Sequence, residues 1–477
     1  MEMQPDTQYQ LGMMGLGTMG RNLLLNMADH GFAVAGFDKN MQQVQLLEKE
    51  GEGKPVKGFG ELAEMVGSLQ KPRAVMLLVP AGPAVDAAIT ELLPLLDHGD
   101  LIIDGGNSKF TDTDRRAAEL AQKGLHFFGM GISGGEEGAR RGPSMMPGGD
   151  PEAYRTVQPI FERIAAQVGG EPCVAHIGTG ASGHFVKMVH NGIEYAIMQL
   201  LAESYDLMKN GLQLPNDAIH AVFKKWNGGR LQSFLLEITA DIFAYKKPGA
   251  DHLLLNDIKD EAKSKGTGKW TSQFAMDLQL PITAIDTAVS MRDLSKYKAL
   301  RTQLADLFPK EKTKLTDDTE AYLEQLEAAF FFSMAVTYAQ GMHLLRRASE
   351  EYGYGLNLAN IAKIWRGGCI IRSAFLETIF TAFQNNEKLE HLLLDEGVRE
   401  MVGDSLASAR SVTTGAMSAG ISVPVFAATL TYFDALRSDR MPTNLIQAQR
   451  DFFGAHTYEL IGQDGVFHTD WSGKKSG

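Results

Sequence analysis

Five side chains suited to proton transfer and recognition fall within nine residues, Lys187, His190, Asn191, Glu194 and Tyr195, in the run Gly183-His184-Phe185-Val186-Lys187-Met188-Val189-His190-Asn191-Gly192-Ile193-Glu194-Tyr195. If the run is helical, a turn of 100° per residue places all five within an arc of roughly 140°. Amine, imidazole, amide, carboxylate and phenol then share one face. A lysine shifted toward neutrality by burial can accept a proton near pH 7, and a neighbouring carboxylate kept protonated can donate one. A merely solvated face would offer a Lys–Glu ladder. Here Phe185 and Val186 flank the lysine, Met198-Gln199-Leu200-Leu201 continues the segment, and few further charges appear, so the face is read as catalytic.

A second set of residues is suited to a dinucleotide. The apolar run Tyr9–Met14 ends in Gly15-Leu16-Gly17-Thr18-Met19-Gly20, followed by the helix-like stretch Arg21–His30. This spacing provides a tight turn, a close approach of backbone to pyrophosphate, and close helix–strand packing, with the phosphate on free N–H groups at the helix start. A second strand-like run, Phe32–Phe37, ends in Asp38, 23 residues after Gly15. A carboxylate there accepts hydrogen bonds from the adenosine ribose and repels a 2′-phosphate, which favours NAD over NADP, although the adjacent Lys39 could attract that phosphate.

Ala74–Val79, stopped by Pro80, and Leu101–Asp104, stopped by Gly105-Gly106, are continuous apolar runs of the kind buried in a doubly wound parallel sheet. Ligands bind at the carboxyl ends of such strands. The segments Val79-Pro80-Ala81-Gly82, Asp104-Gly105-Gly106-Asn107-Ser108 and Gly131-Ile132-Ser133-Gly134-Gly135-Glu136-Glu137-Gly138 are therefore expected as loops around one crevice.

From Gly183 onward the pattern becomes helical. Lys225-Trp226-Asn227-Gly228-Gly229-Arg230-Leu231 is echoed by Ile364-Trp365-Arg366-Gly367-Gly368-Cys369-Ile370, each preceded at a similar distance by a related segment, Ala202-Glu203-Ser204-Tyr205 and Ala339-Gln340-Gly341-Met342. This reads as a duplicated helical unit with the catalytic face kept in the first copy. Ser264-Lys265-Gly266-Thr267-Gly268-Lys269-Trp270-Thr271 resembles a Walker loop only superficially, since Trp270 holds the required Ser/Thr position. Its flexible, glycine-flanked Lys269 can still hold a phosphate, with Arg292 as a companion. Near the end, Pro442–Gly454 reads as a helix opened by Thr443 or Asn444 and closed by Gly454, and the aromatic residues Phe452, Phe453, Phe467 and Trp471 mark a tail that docks, with a second subunit as the expected partner.

Composition bounds the class. The chain has 477 residues with 44% hydrophobic and 22% charged residues, the balance of a soluble globular protein with a large core. Its 46 basic against 58 acidic residues give −12, which argues against a nucleic-acid or anionic-membrane binder, so an anionic ligand must meet a local basic cluster. Two cysteines, Cys173 and Cys369, are too few for a disulfide framework or a four-cysteine zinc site and are read as buried thiols in a reducing compartment. No spacing demands a metal. The polar start Met1–Gln10 and the lack of an apolar run near the roughly 20 residues of a membrane span lead to a cytoplasmic reading.

Together the glycine turn Gly15–Gly20, Asp104–Ser108, Ser133–Gly138, Gly183–Tyr195 and Gln449-Arg450-Asp451-Phe452-Phe453-Gly454-Ala455-His456-Thr457 closely resemble the decarboxylating 6-phosphogluconate dehydrogenases, in their long, dimeric branch, over about residues 10 to 470. The resemblance implies an α/β Rossmann-like domain over 1–182, an all-helical substrate and dimerisation domain with an internal duplication over 183–440, and a tail over 441–477 that docks on the partner subunit. It implies oxidation of 6-phosphogluconate at C3, decarboxylation and tautomerisation to ribulose 5-phosphate in the oxidative pentose phosphate pathway. By match to the family motif, Lys187 is the general base and Glu194 the acid. Asn107, Ser133, Gly134, Gly135, His190 and Asn191 hold the carboxylate and hydroxyls, while Tyr195, Lys269, Arg292 and, from the partner subunit, Arg450 and His456 hold the phosphate. Gly15, Leu16, Gly17, Thr18, Met19, Gly20, Asp38, Lys39, Val79, Pro80, Ala81 and Asn107 surround the cofactor. The chain departs from the family at Phe37-Asp38-Lys39-Asn40, where most members carry Asn-Arg-Thr to grip a 2′-phosphate, so NAD is expected as the better cofactor and NADP as the lesser one. The nearest alternative is another β-hydroxyacid dehydrogenase, of 3-hydroxyisobutyrate type, which has no use for the phosphate set.

Overall fold

The computed structural model describes residues 8–309 and 314–471. The beginning of the polar stretch Met1–Gln10 and the end of the expected tail 441–477 lie outside the described residues. Seven strands, Leu11–Met14 (β1), Val34–Phe37 (β2), Val56–Phe59 (β3), Ala74–Leu77 (β4), Leu101–Asp104 (β5), His126–Ser133 (β6) and Ser144–Pro147 (β7), form one sheet in the order β3-β2-β1-β4-β5-β6-β7. β1 to β6 are parallel and β7 runs antiparallel to β6.

Side-chain alternation explains the unbroken apolar runs. Leu11, Met13, Val34, Met76 and Ile103 join the core on one face, and Met14, Ala35, Val75, Leu77 and Ile102 the core on the other. Helices cover both faces, so neither set can be polar. The runs in β1, β2, β4 and β5 are fully buried and were legible. β3 carries the exposed Lys57 on a sheet edge, and β6 contains Gly129 and Gly131, so neither has the composition of a buried strand. Gly131, Ile132 and Ser133 are thus not loop residues as expected, because they end β6 and the turn begins at Gly134.

The helix Ser182–Asp206 is the axis of the second half, packed against β6, β7 and the helices Thr267–Asp277, Thr283–Ser295 and Thr319–Tyr352. It is buried almost all round, from Ser182 through Ile193 without a break. The duplication has a structural counterpart. Gln232-Ser233-Phe234 and Arg372-Ser373-Ala374, each leading into the second helix of its copy, pair through a Ser233–Ser373 bridge, with Phe234 N–H donating to Arg372 O and Ala374 N–H to Gln232 O. Glu203 of the first copy accepts N–H bonds from Val425 and Phe426 in the first turn of Pro424–Leu436. Gln340 of the second copy accepts from Ala284 in the first turn of Thr283–Ser295. Each long helix thus caps a helix that follows the other repeat in sequence.

The chain packs as two compact units that divide between Thr429 and Leu430. In the second, the helix Thr443–Gly454 is followed by an antiparallel hairpin, Tyr458–Leu460 with Gln463–Phe467. Two expectations for this helix fail. The helix starts at Thr443 and ends at Gly454 as expected, but Pro442 occupies the N-cap position with no side-chain cap, so neither Thr443 nor Asn444 caps it, and the left-handed closing residue is Ala455 rather than Gly454. Ala455 and Thr457 both have positive φ, at 48° and 60°. Such non-glycine geometry carries strain that must be offset by neighbouring bonds. Asp451, fully buried, provides them: its backbone carbonyl accepts from Ala455 N–H, and its carboxylate accepts from Thr457 N–H, Thr469 N–H and Trp471 Nε1–H and pairs with His468. Burial alone would raise the Asp451 pKa, but His468, Trp471 and the Thr469 amide together hold it at about 2.

Cys173 and Cys369 are both free and buried. Among the described residues no helix is long and apolar enough to cross a membrane, and no group of three or more His, Cys, Asp or Glu side chains is placed to hold a metal ion.

Two variants test this packing. Asp451→Ala removes the acceptor shared by four donors and should loosen the segment after Leu430, read as faster limited proteolysis there and a red-shifted Trp471 emission while the first unit stays folded; unchanged cleavage would show that the hub is dispensable. Burial raises the Glu203 pKa to about 7, against the lowering effect of the Val425 and Phe426 amides. A carboxyl raised in the folded state holds its proton longer there than when unfolded, so its contribution to stability is complete at low pH and is lost as pH rises toward and past 7. The melting temperature of Glu203→Gln minus that of the wild type should therefore increase by about 2 °C between pH 5.5 and pH 8; a flat difference would contradict the assignment.

Candidate active site

The glycine turn after β1 is shaped for close backbone approach. Gly15 has φ +102°, and a Cβ there would lie 2.5 Å from Leu78 O; at Gly20 a Cβ would lie 1.9 Å from Gly15 O. Gly17 faces open space at the N-cap of the helix Thr18–Asp29, whose first turn has no side-chain cap and no acidic residue. This leaves N–H groups and the positive helix end for a phosphate. A cleft of about 410 Å³ opens beside it, lined by Gly15, Gly17, Asp38, Lys39, Val79 and Pro80, with Ala84 and Glu91 across from them. Thr18 and Met19 begin the helix, the Leu16 side chain is buried in the core, and Ala81 is exposed just beyond Pro80.

Asp38 does more than face the cleft. One carboxylate oxygen accepts from Leu16 N–H at 2.7 Å and the other from Asn40 N–H at 2.8 Å. It therefore fastens the glycine turn to the end of β2. Lys39 Nζ lies 2.6 Å from Glu91 Oε1. Glu91 carried no signal in the sequence.

On the central helix, Lys187 sits beneath β6 because Gly131 lets the strand and helix touch: a Cβ at Gly131 would lie 2.4 Å from Lys187 Cβ. Lys187 Nζ is 3.5 Å from His190 Nδ1, which is 3.1 Å from Asn191 Oδ1 and 4.0 Å from Glu194 Oε2. Ser133 Oγ meets His190 Nε2 at 3.3 Å and accepts from Ile370 N–H. Trp365 packs edge-on against the His190 ring at 5.5 Å. The second repeat, read as lacking the catalytic face, thus supports it from below through Trp365 and Ile370.

Burial governs the electrostatics. It pushes the Lys187 pKa down, against the opposing pull of Glu194. It pushes the Glu194 carboxyl up, although Lys187 and Arg292 act against it. Burial and the Lys187 charge keep His190 neutral, its pKa far below the usual imidazole range. An amine and a carboxyl with oppositely displaced pKa values thus stand one helical turn on either side of a neutral hydrogen-bonding imidazole, an arrangement that can serve a base and an acid.

The remaining site residues surround this face. Asn107 is exposed on the turn after β5, which Asp104 secures by accepting from Gly106 N–H and Ser108 Oγ–H. Gly134 and Gly135, with φ +117° and +63°, turn the chain from β6 into the helix Gly135–Arg141. The Arg292 guanidinium stacks on the Tyr195 ring at 3.5 Å, so it is bound to the site rather than free at the surface. Lys269 is not on a flexible loop as expected; it is exposed in the first turn of the helix Thr267–Asp277, opened by a left-handed Gly266. Arg450 and His456 belong to the second unit, where both are exposed, Arg450 donating to Gln447 and His456 packing against Phe453.

A family model described as the NAD binding domain of 6-phosphogluconate dehydrogenase matches residues 10–178, and one described as the 6-phosphogluconate dehydrogenase C-terminal domain matches residues 183–471. The decarboxylating 6-phosphogluconate dehydrogenase of Lactococcus lactis is 47% identical over 97% of this chain and 99% of its own. The NADP(+)-dependent, decarboxylating enzyme of Bacillus subtilis is 46% identical over 98% and 99%. A solved structure of Plasmodium falciparum 6-phosphogluconate dehydrogenase, described in apo form and in complexes with its cofactor NADP+ and its substrate 6-phosphogluconate, superimposes with a TM-score of 0.94 at 43% identity, covering 97% of this chain and all of that one. The fold and site define a nicotinamide-dependent dehydrogenase with a helical substrate domain. The chain belongs to the 6-phosphogluconate dehydrogenase family, which sets aside the 3-hydroxyisobutyrate-type alternative.

The glycine geometry gives a direct test of the cofactor turn. Gly20→Ala forces the turn apart and should weaken binding of the nicotinamide dinucleotide at least about tenfold, roughly 1.4 kcal/mol, in a fluorescence titration, with the far-UV circular dichroism unchanged. Wild-type affinity in the variant would show that the turn does not hold the cofactor.

Proposed function

We propose that this protein oxidises 6-phosphogluconate at C3 and decarboxylates the product to ribulose 5-phosphate and CO2, with NAD preferred over NADP. It acts in the cytoplasm, in the oxidative pentose phosphate pathway. The observation that carries the reaction is the buried pair on the central helix, Lys187 driven toward neutrality and Glu194 driven toward protonation by the same desolvation.

Gly15, Gly17, Asp38, Val79 and Pro80 would hold the cofactor, and its chemistry there is acceptance of the hydride from C3. Lys187 takes the C3 hydroxyl proton as that hydride leaves. The resulting ammonium, in a water-poor site, polarises the new C3 carbonyl and passes its proton to that oxygen as the C1–C2 bond breaks, so that CO2 leaves and the enediol forms. Glu194 then delivers a proton to C1 of the five-carbon enediol while Lys187 takes back the C2 hydroxyl proton, and the ketose forms. Neutral His190, held by Ser133 and Asn191, offers hydrogen bonds without adding charge. With Asn107 and the Gly134-Gly135 turn, these groups orient the carboxylate and hydroxyls.

Tyr195, Lys269 and Arg292 bind the phosphate of the substrate, and Arg450 and His456 complete that pocket from the partner subunit of a homodimer. Support for the dimer comes from the exposed Leu445, Phe452, Phe453 and Trp471 of the second unit, an apolar face beside two exposed phosphate-binding candidates. Support for NAD comes from the cleft itself. Among the described residues lining it, Lys39 is the one cation and it is already paired with Glu91, while Asp38 and Glu91 would face a 2′-phosphate.

Steady-state kinetics with 6-phosphogluconate tests substrate and cofactor together, and a higher kcat/KM with NADP than with NAD would sink the cofactor reading. Lys187→Met should lower kcat by about a thousandfold or more while dinucleotide affinity, measured by titration, stays within about twofold. Near-normal turnover in that variant would refute Lys187 as the base.

A further inference from the structure

We propose that Glu91 is a specificity-determining residue, which engages Lys39 across the mouth of the cofactor cleft and thereby denies a 2′-phosphate its one available cation. The inference rests on the reading of this cleft as the adenosine end of the cofactor site. Lys39 follows β2, whereas Glu91 lies on the helix Pro83–Leu92 that follows β4, and β1 separates those two strands in the sheet. The two side chains meet over the end of β1 at 2.6 Å, both lining the cleft.

The pair has little to do with holding the fold together. Its side chains are 69% and 38% exposed, and exposed ion pairs contribute little to stability. Glu91 also stands in the last turn of its helix, where a carboxylate opposes the helix dipole. A residue unfavourable for its own helix, placed against Lys39, the one cation among the described residues lining the cleft beside Asp38, is explained by what it does to that cation. With Glu91 present, the cleft offers two carboxylates and a neutralised ammonium. Without it, Lys39, on its flexible four-carbon stem, is free to turn toward a phosphate.

The experiment compares the wild type, Glu91→Gln, Lys39→Ala and the double variant. For each, kcat/KM is measured with NADP and NAD, and the affinities for adenosine 2′,5′-bisphosphate and 5′-ADP are measured by calorimetry, which needs no turnover. In Glu91→Gln the NADP-to-NAD ratio should rise about fivefold, through KM rather than kcat. The preference for adenosine 2′,5′-bisphosphate over 5′-ADP should rise in parallel, and both gains should shrink with added salt. In the Lys39→Ala background the same substitution should give no such gain. An unchanged ratio in Glu91→Gln overturns the proposal, and so does an equal gain with and without Lys39, which would mean bare repulsion by Glu91 instead of capture of Lys39. A wild type that favours NADP defeats the NAD reading alone, since the shift caused by Glu91→Gln is judged against whatever ratio the wild type shows.

Discussion

The site in the first compact unit answers to one constraint, the burial of a primary amine in the second turn of a 25-residue helix. Desolvating a lysine disfavours its charged form, and burial lowers the Lys187 pKa accordingly, the direction that the proposed role as base requires. The same burial raises the Glu194 pKa, so one physical cause displaces both groups in opposite directions. To keep the helix dry, β6 must press directly on it, and Gly131 is the residue that permits the contact. The antiparallel β7 beside β6 and the helices Thr267–Asp277, Thr283–Ser295 and Thr319–Tyr352 close the remaining sides.

Two segments of the helical half echo one another in sequence. The copies interlock: Glu203 receives amides of the helix beginning at Pro424, and Gln340 receives an amide of the helix beginning at Thr283. Such reciprocal capping satisfies helix ends that burial would otherwise leave unpaired. Scaffold symmetry coexists with chemical asymmetry. The first repeat carries the titratable face, whereas the second contributes Trp365 against the His190 ring and Ile370 N–H to Ser133.

In the cleft beside the glycine turn, electrostatics act through pairs, and the sign of one residue decides little by itself. Asp38 is tied to Leu16 and Asn40 before any ligand arrives, and Lys39 is tied to Glu91. The formal charge of −12 is compatible with this design, because what an anionic ligand meets is the local set of charges and not their sum over the chain.

Local patterns determined the strands buried on both faces, the glycine turn, the helix that carries Lys187 to Tyr195, and the echo of one Trp-Gly-Gly segment by another. These signals survive in one dimension because each is a periodicity or a steric requirement of neighbouring residues. β3 and β6 escaped notice since an edge lysine and two glycines remove the apolar signature, and the need for those glycines lies in a helix some fifty residues away in sequence. The roles of Trp365, Ile370 and Glu91 likewise depend on contacts between segments far apart along the chain. The left-handed Ala455 and Thr457 are tolerated only because Asp451 bonds the residues around them. The residue types and their spacing were therefore decided by sequence, while their protonation, pairing and support were decided by tertiary burial, because desolvation and charge pairing act between residues that only the fold brings together.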